Sequence, residues 1–64
     1  MGLSEAIDIL EADIDKDAKI ALADTQSVNA ITHSPIMKDW FFSDGSILRM
    51  HVDDFYVLGV RRGG

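Results

Sequence analysis

The segment DIDKDAKIALAD, residues 13–24, sets carboxylates at Asp13, Asp15 and Asp17 and returns with a fourth at Asp24. Alternating acids on a tight turn are the donor set a hard cation needs, since calcium takes six to eight oxygens and carboxylates supply most of them. The same acids on a helix would only face water. A second group lies near the C-terminus, where His51 stands close to Asp53 and Asp54. Imidazole with carboxylates suits zinc or iron, but a site needs three or four ligands in fixed geometry. His33 is the only other histidine.

Catalytic signatures are absent from the sequence. There is no cysteine nucleophile, no G-x-S-x-G elbow and no glycine-rich phosphate loop. Asp53 and Asp54 are adjacent, so on a strand they point to opposite sides and make no acid/base dyad. The expectation is a chain that is not an enzyme and carries no cofactor. The spacing of residues 13–24 resembles an EF-hand loop, and the aspartate at its twelfth position is closer to the dockerin variant. That resemblance implies Asp13, Asp15, Asp17 and Asp24 as calcium ligands, with the Lys19 carbonyl as a further donor. Ala18 falls where the family needs glycine, and one such loop is present where these proteins usually pair two. The final Arg61-Arg62-Gly63-Gly64 resembles the diglycine end of ubiquitin-like modifiers and sulfur carriers, which would imply C-terminal activation. Those folds open with a β-hairpin, whereas this chain opens with a helical pattern.

Sixty-four residues make one small domain, residues 1–64. Such a core rarely supplies more than ~3–5 kcal/mol, so small folds often add disulfides, a metal or a partner. Cysteine is absent, which excludes disulfides and suits a reducing compartment. The 47% hydrophobic content is too high for a disordered chain. No apolar run is long enough to span a membrane, and the N-terminus is unlike a signal peptide, so a cytoplasmic protein is expected. The net charge of −5 lies within the first 24 residues, where seven acids face two lysines. No cluster of Lys and Arg exists to neutralise phosphates, which argues against direct nucleic-acid binding.

The elements follow from periodicity. Ser4 is a good N-cap, with Leu3 placed to staple the entry. Ile7, Leu10 and Ile14, with Ala6 and Ala18 beside them, form a helical stripe. The spacing predicts a helix from residue 4 to about 25, or one broken near 13–17, with Ala21, Leu22 and Thr25 continuing the stripe. Glu5, Asp8, Glu11 and Asp15 fall on its other faces. Strands are expected at about 27–33, 36–43, 46–52 and 55–61, with turns at Ser34-Pro35, Asp44-Gly45 and Asp53-Asp54. The fold class is therefore α+β, an acidic amphipathic helix packed on an antiparallel meander of three or four strands.

A two-residue loop at Asp44-Gly45 puts Phe42 opposite Ile47 and Trp40 opposite Arg49. One sheet face then collects Met37, Phe41, Leu48, Met50, Val52, Phe55 and Val57 beneath the helix. The other collects Trp40, Phe42, Ile47, Tyr56, Leu58 and Val60 with Lys38, Arg49 and His51. Sheets with a solvated side normally read polar there. An apolar face implies a docking surface, and Trp, Tyr and Arg are favoured at binding hot spots. Trp40, Phe42, Ile47, Arg49, Tyr56 and Leu58 are thus the expected residues for docking a protein partner or a second copy. The alternative function is an acidic nucleic-acid mimic using Glu5, Asp8, Glu11 and Asp15. A further alternative is the single calcium module.

Overall fold

The computed structural model of the chain describes residues 4–59. Helix α1 spans Glu5–Glu11 and helix α2 spans Lys16–Gln26. Strands β1 (Asn29–Ser34), β2 (Met37–Phe41), β3 (Ile47–His51) and β4 (Asp54–Gly59) form one antiparallel sheet in the order β1-β2-β3-β4. The α+β class and the four-stranded meander are as the periodicity implies. Leu3, Val60 and the Arg61–Gly64 tail lie outside the described residues.

The helical segment is broken, and two side chains explain where. Ala12 is extended at the end of α1. Asp15 is extended too, and its carboxylate accepts the Ala18 N–H at 2.8 Å, capping a new helix. Lys19 spans the break, its Nζ donating to the Leu10 carbonyl at 2.6 Å and so satisfying an orphan acceptor at the end of α1. The break shifts the buried stripe. Ala6 and Ile9 are the buried positions of α1, while Ile14 lies in the link, 40% exposed. On α2 the inward positions are Ile20, Leu22 and Ala23; Ala18, Ala21 and Thr25 are exposed.

The start of α1 is held by a distant loop. Ser4 Oγ accepts the Ile7 N–H at 3.1 Å as a conventional cap. The two amides before it are met from the β2–β3 connection: Asp44 Oδ2 accepts the Glu5 N–H at 2.8 Å, and Ser46 Oγ accepts the Ala6 N–H at 3.1 Å. Ser43 Oγ also donates to Glu5 Oε2 at 2.9 Å. Three amides that would lack partners at a helix start are therefore satisfied.

That connection is a three-residue loop. The Gly45 N–H donates to the Phe42 carbonyl, the Phe42 N–H donates to the Ser46 carbonyl, and Gly45 has φ 87°. This is a type I turn closed by a glycine in the left-handed region. Asp39 consequently faces Arg49, Trp40 faces Leu48 and Phe41 faces Ile47. The expected two-residue loop is out of register by one, and a slip of one inverts every side chain of a strand. Trp40 and Phe42 point into the helix layer; Met37 and Phe41 point away from it. The core is Ala6, Ile9, Ala23, Trp40, Phe42 and Leu48, with Leu10, Ile20, Leu22, Met50, Phe55 and Val57 packed around it.

The β3–β4 turn also differs from expectation. It lies at Val52-Asp53, with His51 opposite Asp54. The shift is by two residues, so the faces of β3 and β4 are as expected. Val52 has φ 60°, a value that disfavours a β-branched side chain. Its N–H donates to the Ile36 carbonyl at 2.7 Å, tying this turn to the Pro35-Ile36 turn beside it.

Two stability outcomes follow. Asp44→Ala and Ser46→Ala each remove a partner of an α1 amide and are expected to cost about 1–2 kcal/mol in urea denaturation read by far-UV circular dichroism. Val52 is 47% exposed, so Val52→Gly gives up little burial while relieving the positive φ. It is expected to stabilise by about 0.5–1 kcal/mol, and a lower urea midpoint would contradict the strain at this turn.

Candidate functional site

Both described helices lie on one face of the sheet, so the other face is the surface that the described residues leave open. Each strand contributes alternate residues to it: Ile31 and His33 from β1, Met37, Asp39 and Phe41 from β2, Ile47, Arg49 and His51 from β3, and Tyr56 and Leu58 from β4. Ile31, Tyr56 and Leu58 are 44%, 40% and 43% exposed. Phe41, Ile47 and Met37 are half-buried.

A closed polar group sits at the centre of this face. Asp39 is buried, and Arg49 binds it through two parallel bonds, Nε to Oδ1 at 2.7 Å and Nη2 to Oδ2 at 2.9 Å. His33 Nε2 lies 3.0 Å from Asp39 Oδ2. Fork-on-carboxylate geometry is the strong form of an ion pair. The Arg49 hydrogen bond holds the Asp39 carboxyl below its usual range against the opposing effect of burial, and His33 adds to the lowering. Asp39 in turn raises the Arg49 pKa, with a smaller contribution of the same sign from Tyr56 across β3–β4.

Of the expected docking residues, Ile47, Arg49, Tyr56 and Leu58 come together here. Trp40 and Phe42 do not; they are core residues. Trp40 is fully buried, its Nε1 donates to Asp24 Oδ1 at 2.7 Å, and it stacks near Phe55 with centroids 6.4 Å apart. Lys38 completes that arrangement, 3.1 Å from Asp24 Oδ1 and 5.3 Å above the Trp40 ring. The Trp40 hydrogen bond is the main reason the Asp24 carboxyl is held below its usual range. His33, Asp39 and Ile31 were not among the expected residues. Their signal is the pairing of an aspartate with an arginine across a hairpin, which is met only if the loop has three residues.

The helix sets residues 13–24 in an arrangement different from an EF-hand loop. Residues 16–26 are α2, so Asp17 and Asp24 lie on a helix and not in a loop, Ala18 is helical, and Asp15 is engaged as a cap. Asp24 is turned to Trp40 and Lys38. Among the described residues no three His, Asp or Glu side chains converge to hold a metal, and this includes the group at His51, Asp53 and Asp54. Asp53 instead pairs with Lys16 at 2.6 Å on the surface. Of the acids proposed for mimicry, Asp8 and Glu11 are exposed on α1, while Glu5 accepts from Ser43 and Asp15 caps α2.

No helix among the described residues is long and apolar enough to cross a membrane. No family model, curated protein or solved structure matches the chain.

The central pair sets two measurable properties. Arg49→Ala strands a buried carboxylate and is expected to cost roughly 3–5 kcal/mol, close to the stability of a domain this small. Asp39→Ala costs less, because the freed guanidinium can turn outward to water from a side chain already 24% exposed. Equal losses in urea titrations would contradict this asymmetry. Asp24, Asp39 and Asp44 all have lowered folded-state values. Their stabilisation is present above the unfolded-state pKa of about 4 and is lost as pH falls through the lower folded values. Urea midpoints are therefore expected to hold from neutral pH to about 4 and drop below it.

Proposed function

We propose that this chain is a non-enzymatic docking protein that presents the open sheet face to a protein partner. The observation supporting this reading is an apolar and aromatic surface of Ile31, Phe41, Ile47, Tyr56 and Leu58 around the satisfied Asp39–Arg49 pair. A solvated sheet face of ordinary composition would be polar. Here the polar atoms at the centre are committed to one another, so the face offers a partner mainly apolar area and the Tyr56 ring. The complementary surface is accordingly flat and apolar. Exposed Tyr beside Arg is the composition that binding hot spots favour.

The chain's charge bears on the partner differently. Glu5, Asp8 and Glu11 belong to α1, in the layer across the sheet from the open face. Docking through the open face therefore brings few unpaired charges into contact, and its affinity should depend weakly on salt. An acidic surface imitating phosphates would behave in the opposite way, since exposed charges are screened over ~8 Å at physiological ionic strength.

The experiment is affinity capture with wild-type protein, the Tyr56→Ser/Leu58→Ser variant and the Asp8→Asn/Glu11→Gln variant, each washed at rising salt. Docking through the face predicts a bound protein that resists salt, is lost with Tyr56→Ser/Leu58→Ser and is kept with Asp8→Asn/Glu11→Gln. A bound protein released by salt and lost with the acid variant would replace this reading with mimicry.

A further inference from the structure

The two edges of the sheet are not alike. Helix α1 packs against β3 and β4, and β4 opens on an aspartate. At the other edge the helix layer stops at β2, where Asp24 meets Lys38 and Trp40. Five of the six residues of β1, Asn29 to His33, are exposed, those on the helix side of the sheet as well as those on the open face. The strand reads Asn-Ala-Ile-Thr-His-Ser and carries no Lys, Arg, Asp or Glu. Native sheets guard an exposed edge with charge, an in-strand proline or a covering element. Among the described residues strand β1 has none of these, and its one register irregularity, between Thr32 and Ser34, lies beyond the regular stretch from Asn29 to Thr32.

Its outward main-chain groups can be identified. The Ala30 N–H is met by the Oδ1 of its own neighbour Asn29 at 2.9 Å and so does not serve the β1–β2 ladder. Alternation along an antiparallel strand gives Thr32 the same outward orientation. Residues 30 and 32 thus present the free pairing edge, with Ile31 between them.

We propose that β1 pairs antiparallel with β1 of a second copy of this chain, joining two four-stranded sheets into one of eight strands. The register is self-complementary. Ala30 exchanges main-chain hydrogen bonds with Thr32 of the partner subunit, Thr32 does the same with Ala30 of the partner subunit, and Ile31 meets Ile31 of the partner subunit at the two-fold axis. No charged side chain is set opposite another, which removes the like-charge cost that usually protects an edge. The acids of α1 lie on the β3–β4 side of each subunit, away from the β1 edge. Two-fold pairing of identical edges also closes on itself. Asn29 gives up a local bond to Ala30, and a strand bond replaces it. A single edge contact is below the roughly 1,200 Å² typical of stable complexes, so a concentration-dependent equilibrium is expected. The pairing does not depend on the open face having a partner of its own.

The test is sedimentation equilibrium of the full chain from about 10 µM to about 1 mM, a range that brackets weak association. The mass is expected to rise from one chain to two. Thr32→Pro deletes an outward N–H without touching the β1–β2 ladder, and is expected to stay at one chain throughout. Tyr56→Ser/Leu58→Ser alters the open face only and should still reach two. The chain has no cysteine of its own. With oxidised glutathione as oxidant, Ile31→Cys should give a covalent dimer, since facing residues at such a position have Cα atoms about 4.5 Å apart, within disulfide reach. Asn29→Cys, four residues out of register with its own copy, should not. The proposal is overturned by a wild-type protein that remains one chain at the highest concentration, or by a dimer that survives Thr32→Pro. Equal cross-linking of Ile31→Cys and Asn29→Cys would overturn it as well.

Discussion

The first turn of α1 has two of its amides satisfied by a loop some forty positions away in sequence, and the fold is organised around that contact. Asp44 and Ser46 hold the Glu5 and Ala6 N–H groups, while Gly45 closes the loop that carries them. The same carboxylate accepts the Ser46 N–H at 2.9 Å, and Ser46 is fully buried. One short loop therefore does two jobs. It fixes where α1 enters the core, and it fixes the β2–β3 register, which decides that Trp40 and Leu48 face the helices. A helix of seven residues is too short to persist alone. Its ends have to be supplied by the rest of the chain, and both are: the loop holds one and Lys19 reaches the other.

The core that results is small, and polar contacts do much of the positioning. Around six buried apolar side chains stand the Asp24–Trp40–Lys38 group on the helix side and the Asp39–Arg49–His33 group on the open side. No buried side-chain donor or acceptor among the described residues lacks a partner. This matters more in a chain of this length than in a larger one, because an unsatisfied buried group costs about 1–3 kcal/mol against a total of only a few. The Asp39–Arg49 pair also gives β2 and β3 a reason for one register over its neighbours, a form of specificity that apolar pairs alone would not provide.

Much of this architecture is legible in the sequence. Ser4 as a cap, the acids around residue 15, Pro35 and Asp44-Gly45 mark the elements, and alternation marks the strands. The helix break was readable as one of two branches; Asp15 decides it by capping α2. What local pattern could not supply was loop length. Asp-Gly suits a two-residue hairpin, but here the Asp44 side chain is drawn to α1, and a third loop residue is needed. That single residue moved Trp40 and Phe42 from the open face to the core. The corrective signal was present: only the three-residue loop sets Asp39 against Arg49, whereas the shorter one sets Trp40 there. The calcium-like spacing of Asp13 to Asp24 has a related origin, since acids that cap and flank a helix recur at similar intervals.

Trp40 is the sole indole of the chain, and its surroundings give it an optical use. Its ring lies at the seam between α2 and the sheet, with a carboxylate on its nitrogen and an ammonium above its plane. Emission excited selectively from this indole, without Tyr56, is thus a readout of one seam and not of the chain at large. A change in its wavelength or quantum yield signals α2 lifting from the sheet or Asp24 gaining a proton, whereas events confined to the opposite face leave it dark to the fluorimeter.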